Sequence, residues 1–380
     1  MPDLLNFFTN RTENAVSLLE ALMLLESPTP DKPLVDALGV YIQGLLEATG
    51  AAVIVYPRAE VGDIRLAKWN ETASGKPILL LCHMDTVWAG GTLAQMPIRR
   101  DEYRLYGPGA LDMKAGITIA IEAVRGLQAH GTFPNRPIWL LLTTDEETGS
   151  HHSRDLIIEL AQQSGVVFVM EPATENEGLK TWRKGNASYW IKAVGRASHA
   201  GNAPEAGINA IIEIANQAIA LNSLNLLRKG TSVSVTQISG GVGNNVIPPE
   251  AGCYADVRFL IQAEAERIDN AIRNLQPIVP GSQLEIIGEI NRLPMERNDL
   301  MIKTFRQAQA LAQQLGLALG EDGAGGVSDA NLTAAAGIPT LDGLGGHGEG
   351  MHALHEHVLI RSLPRRAALL AILLREWQGG

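Results

Sequence analysis

The feature that most constrains this fold is a series of short apolar runs that each end in polar residues. PILLLCHMD, PIWLLLTTDEE and VVFVMEPA follow this pattern, and AAVIVYP precedes them. Stretches with helical apolar spacing, such as AGITIAIEAVRGLQAH, lie between these runs. The alternation predicts an α/β layer with a largely parallel sheet covered by helices on both faces.

The pattern changes near residue 185. From there to about residue 293 the apolar spacing predicts strand, helix, strand, strand, helix and strand, the βαββαβ order of a ferredoxin-like unit. The α/β pattern then resumes and ends with the helical stretch SLPRRAALLAILLREW. We therefore expect a main domain in two parts, residues 1–184 and 294–380, with an inserted domain over residues 185–293. A chain of 380 residues is long enough for more than one domain.

Composition narrows the classes of partner. The net charge of -10 argues against nucleic acid or an anionic membrane as the main partner, since both attract basic surfaces. No apolar run approaches the ~18 residues of a membrane span. The first residues do not resemble a secretory signal, so we expect a cytoplasmic protein. Cys82 and Cys253 lie in separate apolar runs and are expected to be buried free thiols.

Acidic residues and a histidine follow three of the expected strands. His83 and Asp85 come after PILLLC, Glu146 and Glu147 after PIWLLLTTD, and Glu171 after VVFVM. Open α/β sheets bind ligands beyond the carboxyl ends of their strands, so these side chains are expected to converge on one crevice. Any single one could be an exposed loop acid or a helix cap. Three such clusters together favour a functional site.

Asp112 lies in YGPGALDMKAG, a segment rich in turn residues that leads into a helix. The segment has neither the GxxxxGK[ST] spacing of a phosphate-binding loop nor the GxGxxG of a dinucleotide-binding loop, which excludes nucleotide binding here. A carboxylate held at a tight turn can reach two ions at once. Zinc accepts both carboxylate oxygen and imidazole nitrogen, and a catalytic zinc site keeps one position open for water.

Four histidines lie in GHGEGMHALHEHV. An HExxH zinc helix is excluded because the position four residues after His355 is Leu359. We expect one loop histidine, His352, to bind metal. His347, His355 and His357 are expected to be solvated or to play a supporting role.

Taken together, seven motifs resemble one superfamily in their order and spacing. They are LLLCHMDTV, YGPGALDMKAG, TTDEETGS, MEPA, GRASHAG, GGVSDA and GEGMHALHEHV. The superfamily is that of the zinc metallopeptidases that include glutamate carboxypeptidase, acetylornithine deacetylase, succinyl-diaminopimelate desuccinylase and aminoacylase. The resemblance runs from about residue 75 to the end. It implies an α/β catalytic domain with a mostly parallel sheet and an inserted ferredoxin-like domain for dimerisation and substrate closure.

The resemblance also assigns the metal ligands. It implies that Asp112 bridges two zinc ions in each subunit. His83 and Glu171 would complete one ion, and Glu147 and His352 the other. Cobalt or manganese could replace zinc in a site of this kind.

Catalytic roles follow from the same resemblance. Glu146 would be the general base that takes a proton from a water shared by the two ions. Asp85 would orient His83, as carboxylates commonly do for metal-bound imidazoles. His199, in GRASHAG, would reach into the site of a partner subunit and stabilise the oxyanion.

For the substrate, the resemblance implies that Asn245 and Arg258 bind a carboxylate, whereas Arg258 taken alone would more often form a surface ion pair. Gly326 would shape the pocket. Relatives that cleave from the amino end tend to have Asp at the position of Glu171, and GGVSDANLTAAAGIPTLDGLG is most similar to the glutamate carboxypeptidase branch. We therefore expect hydrolysis of a small peptide or an N-acyl amino acid that releases a C-terminal amino acid.

Two other functions stay open at this stage. An N-acyl-amino-acid deacylase of the acetylornithine deacetylase or succinyl-diaminopimelate desuccinylase type would have the same site. A non-catalytic binding protein of the same fold is disfavoured because every expected position is filled. The inserted domain should expose an edge strand that could pair with its twin, so we expect a homodimer.

Overall fold

The computed structural model describes residues 2–379, with side chains from residue 4 onward. The chain forms two compact units. The first unit runs to Trp182 and continues over Arg297–Ala324 and from Ser328 onward. The second unit comprises Arg183–Glu296 and Gly325–Val327.

The helices and strands follow one another along the chain in three stretches. The first stretch contains helices α1 (Pro2–Thr9), α2 (Thr12–Met23), α3 (Lys32–Glu47), α4 (Ala115–Ala129) and α5 (Arg154–Gln163), and strands β1 (Ala52–Tyr56), β2 (Ile64–Trp69), β3 (Ile78–His83), β4 (Arg99–Arg100), β5 (Arg104–Tyr106), β6 (Ile138–Thr143), β7 (Val166–Val169) and β8 (Leu179–Arg183). The second stretch contains helices α6 (Ala210–Ser223) and α7 (Gln262–Arg273), and strands β9 (Gly185–Val194), β10 (Ser198–His199), β11 (Ser232–Gly240), β12 (Val246–Ile247), β13 (Glu250–Phe259) and β14 (Gln283–Arg292). The third contains helices α8 (Asp299–Gln314), α9 (Ala330–Ala335) and α10 (Ser362–Glu376), and strands β15 (Glu321–Ala324), β16 (Thr340–Leu341), β17 (Gly348–Glu349) and β18 (His357–Leu359).

The first unit is built on a mixed sheet with strand order β1-β2-β6-β3-β7-β16. Strand β3 pairs in parallel with β6 and β7, and β16 pairs in parallel with β7. Strand β2 runs antiparallel to both β1 and β6. The register places Leu80 of β3 opposite Leu140 and Phe168. The prediction of an α/β fold with a mostly parallel sheet is confirmed.

Strands β3, β6 and β7 are buried along their whole length. Continuous burial is typical of parallel strands covered on both faces, and it explains why their sequences are apolar without alternation. Helix α4 packs against α10, and α10 also contacts α1, α2 and α8. This layering brings the carboxyl ends of three neighbouring parallel strands to one edge of the sheet.

The second unit has the predicted βαββαβ order, formed by β9, α6, β11, β13, α7 and β14. Its antiparallel sheet has the order β11-β13-β9-β14, so β11 and β14 are the two edges. Side chains of β9 alternate strictly between buried and half-buried, as expected of a strand with one covered face. Helices α6 and α7 pack on that sheet, and its core includes Tyr189 and Phe259.

Strand β2 is an element that the sequence pattern did not predict. Its sequence IRLAKW contains Arg65 and Lys68, which interrupt the apolar run. Arg65 is nevertheless buried, and its guanidinium donates to the Asp63 carbonyl over 2.8 Å. Among residues 2–379, no helix is long and apolar enough to cross a membrane.

Candidate metal centre

The parallel strands of the first unit bring the expected ligands together. His83 is the last residue of β3, Glu147 follows β6 by four residues, and Glu171 follows β7 by two. Because β3 pairs in parallel with both β6 and β7, the three strands end at the same edge of the sheet. His83 and Glu171 are buried, and the Glu147 side chain is only 8% exposed.

Asp112 occupies a tight turn between β5 and α4. The turn begins with Gly107 and Gly109, which have φ of 159° and 70°; only glycine adopts such values readily. Lys114 ends the turn, and its ammonium group is buried and donates to the Leu25 carbonyl over 2.7 Å. The turn therefore holds the Asp112 carboxylate at the start of a buried helix.

The two oxygens of Asp112 face two different pairs of ligands. Oδ1 lies 3.2 Å from His83 Nε2, and that nitrogen lies 3.4 Å from Glu171 Oε1. Oδ2 lies 3.4 Å from His352 Nε2, and that nitrogen lies 3.5 Å from Glu147 Oε2. The structure thus brings all five expected ligands into one cluster, with Asp112 at its centre.

The donor atoms fit a metal ion. One ligand atom each from His83, Asp112 and Glu147 lie within 4.8 Å of one another. Glu147 Oε1 is buried and finds no hydrogen-bond partner among the described residues. A buried carboxylate oxygen without a partner is costly, and a bound cation would remove that cost. Imidazole and carboxylate together form a ligand set that suits zinc.

The pKa shifts in the cluster also favour a bound cation. Burial disfavours a charge on His83, but hydrogen bonds to neighbouring acids raise the pKa of His83 well above its usual value. Hydrogen bonds to Asp112 and Glu147 raise the pKa of His352 to about 10. Burial raises the pKa of Glu147. These shifts reflect the negative charge that Asp112 and the neighbouring glutamates concentrate here, and a bound cation would offset that charge.

His352 reaches the cluster from a tight turn before β18. Its φ of 61° lies in the left-handed region, which residues other than glycine seldom adopt. The Ala353 N–H donates to the Gly350 carbonyl and closes this turn. The neighbouring histidines have other partners. His347 contacts Glu177 and the Glu175 carbonyl, and His357 packs against the Tyr106 ring.

Asp85 contacts His83 through both its backbone carbonyl and its carboxylate. The closest acceptor for His83 Nδ1 is the Asp85 backbone carbonyl, at 2.9 Å, whereas the carboxylate lies 3.5 Å away. That carbonyl fixes the proton on Nδ1 and leaves Nε2 for a metal. The Asp85 carboxylate also accepts hydrogen bonds from Thr29 Oγ1 and from the backbone N–H groups of Glu146 and Glu147. Asp85 therefore joins the turn of β3 to the paired glutamates.

Two expected residues of the second unit lie side by side. His199 is exposed at the end of β10, which pairs with β12, and the Ala200 N–H donates to the Asn245 carbonyl. Nδ1 of His199 accepts hydrogen bonds from the N–H groups of Gly201 and Asn202, each over 3.1 Å. These bonds place the ring proton on Nε2 in the neutral imidazole.

Arg258 lies on β13 and forms a two-point ion pair with Asp256. Nε and Nη2 each donate to one Asp256 carboxylate oxygen over 2.9 Å. This pair uses one edge of the guanidinium and leaves the edge formed by Nη1 and Nη2 for another carboxylate. Gly326 is exposed, and its carbonyl accepts a hydrogen bond from buried Arg183.

Sequence reasoning missed Glu356, which is fully buried beside the cluster. Its carboxylate accepts hydrogen bonds from the backbone N–H groups of Leu111 and Asp112. A signal was present, since Glu356 is an acid in a segment rich in metal-binding residue types. Its partners could not be identified from sequence, because they are backbone groups more than two hundred residues away.

An α/β fold with carboxylates and imidazoles gathered at its strand ends is typical of a metal-dependent enzyme. A family model described as peptidase family M20/M25/M40 matches residues 79–376, and the chain belongs to this family. Members are metal-dependent enzymes that act on peptides or acylated amino acids. The resemblance found from the motifs is confirmed.

Two sequence relatives represent different activities within the family. The chain is 32% identical over 382 residues to carboxypeptidase G2 of Pseudomonas sp. strain RS-16, covering 98% of this chain and 91% of the relative. It is 26% identical over 362 residues to succinyl-diaminopimelate desuccinylase of Wolinella succinogenes, covering 91% and 95%.

Solved structures share the fold. Aminopeptidase PepT from Bacillus cereus has a TM-score of 0.77 at 22% identity, covering 96% of this chain and 98% of the other. The M20 family metallo-carboxypeptidase Sso-CP2 from Sulfolobus solfataricus has a TM-score of 0.74 at 16% identity, covering 95% and 98%.

Proposed function

We propose that this protein is a di-zinc hydrolase that cleaves a peptide or N-acyl amide bond and releases a C-terminal amino acid. The observation that carries this proposal is the position of Asp112 between two sets of ligands. Each of its oxygens faces a separate histidine and glutamate, as a carboxylate shared by two ions requires. Similarity to carboxypeptidase G2 over nearly the whole chain supports the carboxypeptidase direction.

Glu146 is the proposed general base. When bound, two zinc ions would lower the pKa of a water molecule between them to about 7 and polarise the scissile carbonyl. Glu146 follows β6 directly before the ligand Glu147, and its backbone is fixed by the Asp85 carboxylate. Its carboxylate takes the proton of the attacking water and returns it to the leaving amine.

The second unit supplies the proposed contacts to the substrate. The Nε2 proton of His199 is a donor for the developing oxyanion, and Asn245 lies beside it. The free edge of the Arg258 guanidinium can grip both oxygens of a C-terminal carboxylate. Asp256 keeps that guanidinium in one orientation before the substrate arrives. Gly326 borders the proposed pocket.

We also propose a homodimer formed through the second unit. Apolar side chains on α6 and β11 face solvent, with Ile212 52%, Ile219 71% and Ile238 59% exposed. Strand β11 is an edge strand whose free backbone groups can pair with a second copy across a two-fold axis. In such a dimer His199 would serve the partner's site.

A panel of amides tests the reaction. The zinc-loaded protein is incubated with folyl-glutamate, N-acetyl and N-succinyl amino acids, and with C-terminal amide versions of each. We expect turnover of a substrate with a free carboxylate next to the cleaved bond and little turnover of its amide version, because Arg258 requires a carboxylate. Hydrolysis of acetylornithine alone would contradict a carboxypeptidase.

Glu146→Gln tests the base in the same assay. We expect kcat to fall by about 10²–10⁴-fold with unchanged zinc content, the range that general acid–base groups supply. Glu159→Gln is the matched control, because Glu159 is an exposed glutamate on α5. Hydrolysis by Glu146→Gln at nearly the wild-type rate would remove Glu146 from the mechanism.

The second candidate is an N-acyl-amino-acid deacylase. Its support is the similarity to succinyl-diaminopimelate desuccinylase over 91% of the chain. A deacylase would use the same ligands and the same base but would cleave a small acyl group. Selective turnover of the N-succinyl or N-acetyl members of the panel would favour it.

A further inference from the structure

Glu356 is a fully buried carboxylate with four hydrogen-bond donors. Oε1 accepts from the backbone N–H groups of Leu111 and Asp112, over 2.8 Å and 3.1 Å. Oε2 accepts from the Gly109 N–H over 3.1 Å and from the Trp88 indole over 2.8 Å. These four donors favour the charged form of the carboxylate and oppose the burial that raises the pKa of Glu356.

These bonds join three segments that carry the proposed ligands. Glu356 ends the turn that holds His352, since its N–H donates to the Ala353 carbonyl. Trp88 follows the segment of His83 and Asp85. The backbone donors belong to the turn that holds Asp112. The Glu356 carboxylate thus connects the segments of His83 and His352 with Asp112.

The hydrogen bonds that Glu356 accepts from the Asp112 turn determine where the Asp112 carboxylate points. The N–H groups of two successive residues, Leu111 and Asp112, converge on the same oxygen. Fixing both peptide groups limits rotation of the Asp112 backbone and therefore the direction of its side chain. Without the carboxylate, these buried N–H groups would lose their partners and the turn would rearrange to find others.

We propose that Glu356 is a positioning residue that fixes the Asp112 turn and thereby sets the affinity of the cluster for its metal. The inference rests on the proposed function, because it takes the five-ligand cluster as a zinc site. Glu356 itself does not touch the ions or the substrate. It acts through Asp112, whose two oxygens can face both histidines only while the turn keeps this conformation.

The test measures zinc binding directly. Metal-stripped wild type and Glu356→Gln are titrated with Zn²⁺ against a competing chelator, and their folding is monitored by circular dichroism. We expect the Zn²⁺ dissociation constant to rise about 10–100-fold in Glu356→Gln, the usual effect of removing a group that supports metal ligands. Excess Zn²⁺ should restore most of kcat, since the catalytic groups remain.

Glu213→Gln is the matched control. Glu213 is also fully buried, and it accepts hydrogen bonds from Gln217, Ser282 and the backbone N–H groups of Ile278 and Val279 in the second unit. It should lower stability in a similar way and leave the Zn²⁺ dissociation constant unchanged. Equal losses of affinity in both variants would mean that general destabilisation is the cause and would overturn the proposal.

A second variant separates the contacts of Glu356. Trp88→Phe removes the indole donor and keeps the backbone bonds, so it should weaken Zn²⁺ binding less than Glu356→Gln does. If Glu356→Gln does not fold, Glu356→Asp replaces it, because the shorter carboxylate keeps the charge but cannot reach the Asp112 turn. Wild-type affinity in a folded Glu356 variant would overturn the proposal.

The outcomes also distinguish this proposal from the proposed function. If the wild type binds Zn²⁺ but hydrolyses no member of the amide panel, the carboxypeptidase and deacylase assignments are refuted. The Zn²⁺ titration of Glu356→Gln then still decides whether Glu356 is a positioning residue. Failure of the wild type to bind Zn²⁺ would refute both.

Discussion

At the scale of single residues, His352 gives the metal-free protein a pH-dependent source of stability. Its pKa rises from 6.5 to about 10 on folding because of its hydrogen bonds to Asp112 and Glu147. A raised pKa stabilises the folded state fully below the unfolded value, and this stabilisation is lost as pH rises through the folded value. We expect the contribution of His352 to decline between pH 6.5 and about 10.

The measurement is the difference in free energy of unfolding between metal-stripped wild type and His352→Gln at several pH values. Taking the difference removes the effect of Lys114, whose burial lowers its pKa to about 7 and which therefore acts in the opposite direction. A difference that stays constant over this range would contradict the expectation.

The proposed ligands of the cluster could be predicted from the sequence more readily than the groups that hold them. His83, Glu147 and Glu171 follow apolar strands, and their residue types carry the chemistry, so position along the chain was informative. The partners of Glu356 and Asp85 are largely backbone N–H groups, which look identical at every residue in a sequence. Only folding shows which of these groups point toward a carboxylate.

At the scale of elements, the start of α4 lies tightly against the end of β7. A Cβ added to Gly116 would collide with the Met170 carbonyl, next to Glu171. We expect Gly116→Ala to lower the free energy of unfolding by about 1–3 kcal/mol, as overpacked core substitutions do. Denaturant midpoints of the zinc-loaded protein provide the measurement.

Gly44→Ala, on α3, is the matched control for Gly116→Ala. Among the described residues nothing lies within 4 Å of a Cβ added there. Alanine should therefore stabilise the helix by about 0.5–1 kcal/mol through its better helix propensity. Equal effects of the two substitutions would show that contact with the Met170 carbonyl does not limit residue 116.

Some strands could be predicted from the sequence more easily than others. Apart from His83 and Thr143 at their ends, strands β3, β6 and β7 are apolar because both faces of the sheet are covered, so composition alone predicted them. The sequence pattern did not predict β2, because the charged residues Arg65 and Lys68 are typical of a polar loop. The burial of Arg65 depends on its bond to the Asp63 carbonyl, which becomes available only in the folded chain.

At the scale of the whole molecule, the two edges of the second unit's sheet provide a test of the proposed dimer. Ile238 on β11 and Ile287 on β14 are similarly exposed, at 59% and 55%. We expect Ile238→Asp to convert the dimer to monomers in analytical ultracentrifugation and to reduce kcat, because His199 would lose its partner site. A charge in the interface repels its copy across the two-fold axis.

Ile287→Asp introduces the same charge at the opposite edge and should leave the dimer and its activity intact. Dissociation by Ile287→Asp alone would place the interface on β14. A fully active Ile238→Asp monomer would show that each chain completes its own site.

The link between Glu356 and Asp112 spans 244 residues and has a consequence for biosynthesis. While the ribosome is still translating the intervening segments, the Asp112 turn has neither its acceptor Glu356 nor the proposed ligand His352. Strand β5 also lacks β18, with which it pairs in the folded protein. The complete set of five proposed ligands can therefore come together only after the segment through His357–Leu359 has been synthesised.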